Sequence, residues 1–449
     1  MQLDDALKNV SVIGAAGKMG SGISLLLLQE MARCEAEKTG RVGGGTYCLT
    51  LIDANEHARM GLRQYLRSQL LKYAEKNINS LRQFFAKTPN LVSNEEIIRA
   101  FVEGGLDNVR FETEIDKAKE SFLVFEAVLE DISAKTDLFN TLKTVKWQEQ
   151  YYFTNTSSIP ISFLDNSCQL DHRIIGFHFY NPPAIQKIIE FVSLPNTDPD
   201  MHQLALELAK RLDKKVIKAH DIAGFIGNGC LMREIVYACQ QVKKLSIEHK
   251  IPTAKAIYFI NRMTQDYLLR PMGIFQLIDY IGIDVCHNIA MIMSTYLPDP
   301  NILADLVEAM ENANVHGGQF ADGQQKNGFF QYERHGLVGI YLLEERRYVR
   351  LNETRWEKDW MAFFEALPDR DLSWKSLQQD PLKKDKIKKH LQWLHTSKSK
   401  DARLANDYLM RVKSIAKHLV KDGIADNLTD VDNVLQFGFL HPYGTEEIS

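Results

Sequence analysis

A chain of 449 residues, 45% hydrophobic and 25% charged, has the composition of a globular protein and is long enough for more than one hydrophobic core. It lacks the run of about 18 uncharged apolar residues that a membrane span needs, and its formal net charge of −4 offers no global attraction to nucleic acid or an anionic membrane surface. The six cysteines (Cys34, Cys48, Cys168, Cys230, Cys239, Cys286) show no Cys-x-x-Cys pair and no neighbouring histidine cluster. That spacing argues against a metal site and a disulfide framework and predicts free thiols in a reducing compartment. The acidic start Met1-Gln2-Leu3-Asp4-Asp5 does not resemble an export signal, so a cytoplasmic location is expected.

In chain order, a strand over Asn9–Ile13 runs into Gly14-Ala15-Ala16-Gly17-Lys18-Met19-Gly20 and a helix predicted from Ser21 to about Ala36, the opening of a nucleotide-binding β-α-β unit. Glycines there permit a tight turn and let backbone N–H groups approach a pyrophosphate at a helix N-terminus. The pattern is Gly-x-x-Gly-x-x-Gly, one residue longer than the usual Gly-x-Gly-x-x-Gly. A second strand, Cys48–Ile52, ends at Asp53, which is placed to accept hydrogen bonds from an adenosine ribose and to repel a 2′-phosphate; that favours NAD over NADP. A polar, glycine-rich loop from Glu37 to Gly45 accounts for the long separation between glycine turn and Asp53.

Helices are predicted over 56–76 and 94–103, and strands near Val109-Arg110-Phe111 and Phe122-Leu123-Val124-Phe125, the latter leading to Glu126-Ala127-Val128-Leu129-Glu130. Another strand, Tyr151 to Asn155, stops at Thr156-Ser157-Ser158. Strands that finish in polar residues place a site at their carboxyl ends, where open α/β sheets bind ligands.

Next comes Arg173-Ile174-Ile175-Gly176-Phe177-His178-Phe179-Tyr180-Asn181-Pro182-Pro183, answered by Lys187-Ile188-Ile189-Glu190-Phe191-Val192. His178 and Glu190 are each polar within an apolar segment. Burying an ionisable group without a partner costs several kcal/mol, and the Pro182-Pro183 turn folds one segment back on the other, so the two are expected to pair. A carboxylate that fixes an imidazole's tautomer and steadies the imidazolium makes that histidine a general base.

A helix near 201–212 and a strand Lys215–Lys218 precede Ala223-Gly224-Phe225-Ile226-Gly227-Asn228, which marks entry into a helical region. That region shows an internal echo: Cys230-Leu231-Met232-Arg233 leads to Arg270-Pro271-Met272-Gly273, while Tyr408-Leu409-Met410-Arg411 leads to His441-Pro442-Tyr443-Gly444. The expected divisions are 1–221, 222–335, a connector without motif over 336–398, and a shorter helical unit over 399–449. Trp356 and Trp360, at helical spacing, read as packing anchors. Taken singly, the features have plain structural readings: a satisfied core histidine, an inward edge charge, turn residues, a strand–helix turn without ligand, a capping Asp53. Their joint occurrence is what points to a site.

The glycine loop, Asn155-Thr156-Ser157-Ser158, His178-Phe179-Tyr180-Asn181-Pro182, Glu190 and Gly224-Phe225-Ile226-Gly227-Asn228 stand in one order and together resemble the L-3-hydroxyacyl-CoA dehydrogenase family. That family shows Asn-Thr-Ser-Ser, then His-Phe-Phe-Asn-Pro with a glutamate twelve residues past the histidine, then Gly-Phe-Ile-x-Asn-Arg. The likeness covers about residues 8–335 and returns weakly over 400–449. The tandem helical units are similar to those in the dehydrogenase part of fatty-acid oxidation multienzyme proteins, here without the hydratase domain.

The resemblance implies an α/β fold, a Rossmann-like NAD-binding domain followed by all-α C-terminal units, and an oxidoreductase of fatty-acid metabolism that interconverts L-3-hydroxyacyl-CoA and 3-oxoacyl-CoA with NAD. It implies that His178 is the base, Glu190 its orienting partner, and Ser157 and Asn228 the groups that position substrate and carbonyl. Gly14, Gly17, Lys18, Met19, Gly20, Asp53, Glu130, Lys135 and Asn155 fall at cofactor-side positions. Coenzyme A phosphates would meet the basic helix carrying Arg59, Arg63, Arg67, Lys72 and Lys76, where Lys72 matches best, although this stretch reads equally as a solvated face. Two positions depart from the family: Tyr65 replaces a serine used by relatives, and Gly229 follows Asn228 where an arginine is usual. A dehydrogenase of a free hydroxy acid, of sugar-acid or carnitine type, and a non-catalytic NAD-binding relative are the alternatives. Relatives with one helical unit dimerise through it, so a second copy predicts a pseudo-dimeric helical half, with a homodimer as the other outcome.

Overall fold

The computed structural model describes residues 2–88, 91–146, 149–299, 302–320, 323–334, 336–363, 367, 369 and 371–448. They group into two compact units, Met1–Asp221 and Ile222–Ser449.

The first unit is built on eight strands: β1 (Asn9–Ile13), β2 (Cys48–Ile52), β3 (Val109–Glu112), β4 (Leu123–Glu126), β5 (Tyr151–Thr154), β6 (Ile174–Phe179), β7 (Ile188–Val192) and β8 (Lys215–Lys218). Their order across the sheet is β3-β2-β1-β4-β5-β6-β7-β8. Every pair is parallel except β6 with β7. The order reverses between β1 and β4, the switch point at which open α/β sheets form ligand crevices.

Side chains alternate between the two faces of a strand. Val10, Val12, Leu123, Phe125, Phe153, Phe177, Phe179 and Phe191 belong to one continuous buried core with the helices on that side, and rings such as Phe125–Phe153 and Phe153–Phe177 sit 4.7 and 5.4 Å apart. The intervening positions Glu126, Thr154, His178 and Glu190 therefore project to the other face. Within this sheet, β-branched and aromatic runs fix the strands and their polar exceptions fix the site.

The helix after β1 covers Lys18–Thr39, so it starts directly at the glycine turn and takes in part of what reads as loop. Gly40 ends it in the left-handed conformation, φ 67°. The buried Glu35 then ties the segment down, accepting from the N–H of Gly43 and Gly44 and from Asn108 Nδ2. Helices over Ile78–Phe84, Ile132–Val145 and Ile161–Cys168 complete the layers and were not expected from periodicity.

The second unit is helical, with its longest elements at Gly227–His249 and Lys400–Lys421. The all-α expectation omitted a small antiparallel sheet, β9 (Phe330–Glu333), β10 (Gly336–Leu342) and β11 (Arg347–Arg350), in the order β11-β10-β9. It begins in the segment that closes the first helical stretch and occupies the start of the presumed connector. Trp360 is buried against Phe259, Tyr267 and Arg262, so it is a packing anchor.

The sequence echo has a structural counterpart in backbone geometry. Leu269 and Leu440 both adopt positive φ, 53° and 59°, a conformation uncommon for leucine. Each is followed by a residue, Pro, another residue and Gly: Arg270-Pro271-Met272-Gly273 and His441-Pro442-Tyr443-Gly444. Each glycine begins a helical turn whose third residue, Gln276 or Glu447, accepts from the glycine N–H. Asn261 and Asp432, each nine positions before the residue ahead of the proline, accept from the new turn's backbone. Two copies of one local solution recur in this unit.

Candidate active site

His178 and Glu190 are direct partners in the antiparallel β6–β7 register. Directly opposed residues share a face, and Nδ1 of His178 lies 2.8 Å from Oε2 of Glu190. Glu190 is fully buried, while the imidazole keeps a 12% exposed edge. Tyr180, two residues on, donates its hydroxyl to the same Oε2 at 2.9 Å. Asn155 Oδ1 accepts from the N–H of Phe179 at 2.8 Å, fixing the strand beside His178. The turn joining β6 to β7 is clamped by Lys214, whose Nζ donates to the carbonyls of Pro183 and Gln186, each at 2.6 Å. Burial lowers the Lys214 ammonium to about 8.

Next along the sheet, the end of β5 carries the serine turn. Oε1 of Glu130 gathers the hydroxyls of Thr156 and Ser158 at 2.7 Å and the backbone N–H of Ser157 and Ser158 at 2.8 Å. Burial works against its anion, but Lys135 and these donors outweigh it and hold the Glu130 carboxyl below its ordinary value. Lys135, itself buried, reaches Glu126 at 2.6 Å and Glu130 at 3.4 Å; the two carboxylates overcome desolvation and keep it protonated. Glu126 also accepts from the Thr154 hydroxyl and the Val128 N–H. A buried Glu–Lys–Glu cluster thus holds the turn that presents Ser157. Glu126, Thr154, Tyr180 and Lys214 were not singled out from sequence, because each reads alone as an ordinary strand or turn residue.

At the switch point, Gly14 has φ 77°, and a Cβ there would lie 2.6 Å from the Ala127 carbonyl oxygen. A Cβ on Gly20 would overlap the Gly14 carbonyl, which is why the helix can start so close to the turn. Gly17 closes the turn by donating to Gly14 and stands at the N-cap of the helix. Lys18 and Met19 follow in its first turn, and burial lowers the Lys18 ammonium.

Asp53 accepts from the Ala16 N–H at 2.9 Å and the Asn55 N–H at 3.0 Å. The residue that lengthens the glycine pattern thus meets the acidic end of β2. Ala15, Ala16, Asp53, Asn55, Arg59 and Phe111 line a cavity of about 140 Å³ at this edge. Close-packed backbone at a helix start, an acidic residue at the β2 end and an adjoining cavity fit the adenosine side of a dinucleotide.

The basic helix, Ala58–Lys76, is not a uniform cationic stripe. Arg59 lies over the Phe111 ring and Arg67 pairs with Glu103, whereas Lys72 is exposed. Asn228 belongs to the second unit, buried in the first turn of Gly227–His249. Beside it, a Cβ on Gly229 would already be 3.1 Å from Leu419 of Lys400–Lys421. A leucine of Lys400–Lys421 thus closes on the helix at the position where the family carries arginine.

A Rossmann-like sheet with a glycine turn at its switch point and an imidazole hydrogen-bonded to a buried carboxylate at the same strand ends defines a nucleotide-dependent oxidoreductase. Family models agree. The 3-hydroxyacyl-CoA dehydrogenase NAD binding domain matches residues 42–222 and the C-terminal domain of the same family matches 224–327.

Among relatives, the probable 3-hydroxybutyryl-CoA dehydrogenase of Bacillus subtilis is 26% identical over 71% of this chain and 99% of its own length. The mitochondrial hydroxyacyl-coenzyme A dehydrogenase of Sus scrofa is 29% identical over 62% and 77% respectively. Among solved structures, FadB2 of M. tuberculosis is 25% identical with TM-score 0.53, covering 73% of this chain and all of that one. The Escherichia coli 3-hydroxybutyryl-CoA dehydrogenase shares the fold across 98% of this chain and 90% of its own, with TM-score 0.62 at 18% identity. The chain belongs to the 3-hydroxyacyl-CoA dehydrogenase family and is an NAD-dependent oxidoreductase. Among the described residues, no single helix is long and apolar enough to cross a membrane, and no cluster of three or more His, Cys, Asp or Glu is arranged to hold a metal ion.

Proposed function

We propose that this enzyme interconverts an L-3-hydroxyacyl-CoA and its 3-oxoacyl-CoA, with His178 as general base oriented by Glu190. The observation that carries the reading is the buried carboxylate 2.8 Å from the imidazole, at the carboxyl edge of the sheet. Bound NAD⁺ supplies the hydride acceptor. With Nδ1–H donated to Glu190, the neutral imidazole presents Nε2 as the proton acceptor. Nε2 takes the hydroxyl proton as the hydride leaves the same carbon, and Glu190 steadies the resulting imidazolium. In reduction the proton returns to the carbonyl oxygen. Ser157 donates toward the oxygen on which charge develops. Glu130 and Lys135 hold the serine turn, Asp53 faces the adenosine ribose, and Lys72 meets coenzyme A phosphate.

Segments 222–335 and 399–449 are read as two helical units and 336–398 as the connector carrying most of the small sheet. A cytoplasmic location belongs to the same reading. The test is a comparison of acetoacetyl-CoA with free oxo acids at fixed NADH, followed by NADH absorbance. Turnover of the thioester is expected, with the equilibrium moving toward NADH as pH rises, because oxidation releases a proton. A second reading, a free hydroxy acid as substrate, is favoured by Gly229 standing where the family has arginine and by Arg67 being paired with Glu103; turnover confined to free acids would establish it. NADH binding without oxidation on either class would leave a non-catalytic relative.

A further inference from the structure

We propose that Tyr180 is a positioning residue of the dyad, which loosens the hold of His178 on its proton by sharing the carboxylate that stabilises the imidazolium. The inference rests on His178 being the base. The Tyr180 hydroxyl and His178 Nδ1 meet the same oxygen of Glu190, at 2.9 and 2.8 Å. The two ring centroids are 5.0 Å apart, and Tyr180 is only 8% exposed.

The geometry has a direct electrostatic consequence. A hydrogen bond to an ionised carboxylate stabilises its charge and draws density from the oxygen that faces the imidazole. In a buried site this redistribution is weakly screened. The Tyr180 hydroxyl therefore takes up part of the carboxylate's capacity to stabilise an imidazolium. β6 carries His178, Tyr180 follows directly after its end, β7 carries Glu190, and β8 places the apolar Ile217 in register beside Glu190. The dyad is then a triad of His178, Glu190 and Tyr180, in which a phenol adjusts a base it does not touch through a hydrogen bond. The sequence carries the matching sign: Tyr180 stands where the family motif His-Phe-Phe-Asn-Pro has its second phenylalanine.

Tyr180→Phe removes one oxygen and keeps the ring. In histidine-labelled protein, with the His178 resonance assigned from His178→Gln, the NMR titration midpoint of His178 is expected to move to higher pH in Tyr180→Phe. The acidic limb of kcat/KM for alcohol oxidation should move the same way, with NADH affinity unchanged. A midpoint that stays in place or moves to lower pH overturns the proposal. The titration needs no turnover, so a wild-type enzyme inactive on every substrate would defeat the catalytic reading of His178 while the NMR comparison still decides the role of Tyr180.

Discussion

Gly20 shows how one atom decides a strand–helix turn. It carries the turn's last glycine, and any Cβ would occupy the space of the Gly14 carbonyl, which is backbone and cannot rotate away. Gly20→Ala is therefore expected to displace the helix start and abolish NADH binding, read by cofactor fluorescence, while the rest of the fold persists; affinity equal to wild type would show that this turn does not hold the cofactor. At the same scale, His178 and Glu190 were legible because each breaks an apolar run, and a buried charge requires a partner. Tyr180 and Thr154 were not, since an aromatic or a threonine in a strand is ordinary. Strand register places Thr154 beside Glu126, and Tyr180 reaches Glu190 from just past the end of β6.

At the scale of elements, the strands of the first unit were read close to their ends because short apolar runs stop at polar residues. The sheet β9–β11 was missed because its strands are interleaved with charged turns such as Glu344-Glu345-Arg346-Arg347. That sheet is docked by Asp279 of the helix Ile274–Ile281, whose carboxylate accepts from the N–H of Phe329 and Phe330 and from the Tyr332 hydroxyl. Burial, only partly offset by these donors, pushes the Asp279 carboxyl from 3.8 up to about 7. A carboxyl raised in the folded state adds stability that is fully present below its unfolded value and is lost as pH rises through the folded one. Between about pH 4 and 7 this element should weaken as pH rises. Asp279→Asn keeps an acceptor and removes the ionisation, so its Tm relative to wild type should improve from pH 5 to pH 8; a constant difference would rule out the carboxyl as the source.

For the whole molecule, the repeated Leu-x-Pro-x-Gly turns and the packing of Lys400–Lys421 on Gly227–His249 support the proposal that the second unit is pseudo-dimeric within one chain. Light scattering is expected to give a monomer near 51.4 kDa, and Gly229→Arg, by forcing Leu419 aside, should destabilise the second unit by about 1–3 kcal/mol. A mass of twice the chain would contradict that proposal. The echo was visible in sequence only as two short motifs. Its backbone signature, a leucine at positive φ in each copy, has no residue-level cue.

The most direct measurement is the kinetics of His178→Gln with acetoacetyl-CoA and NADH. The substitution leaves a hydrogen-bonding side chain opposite Glu190 and removes the proton acceptor, so kcat should fall by about 10²–10⁴-fold with NADH affinity retained. Turnover near that of wild type would contradict the assignment of the base and the mechanism built on it.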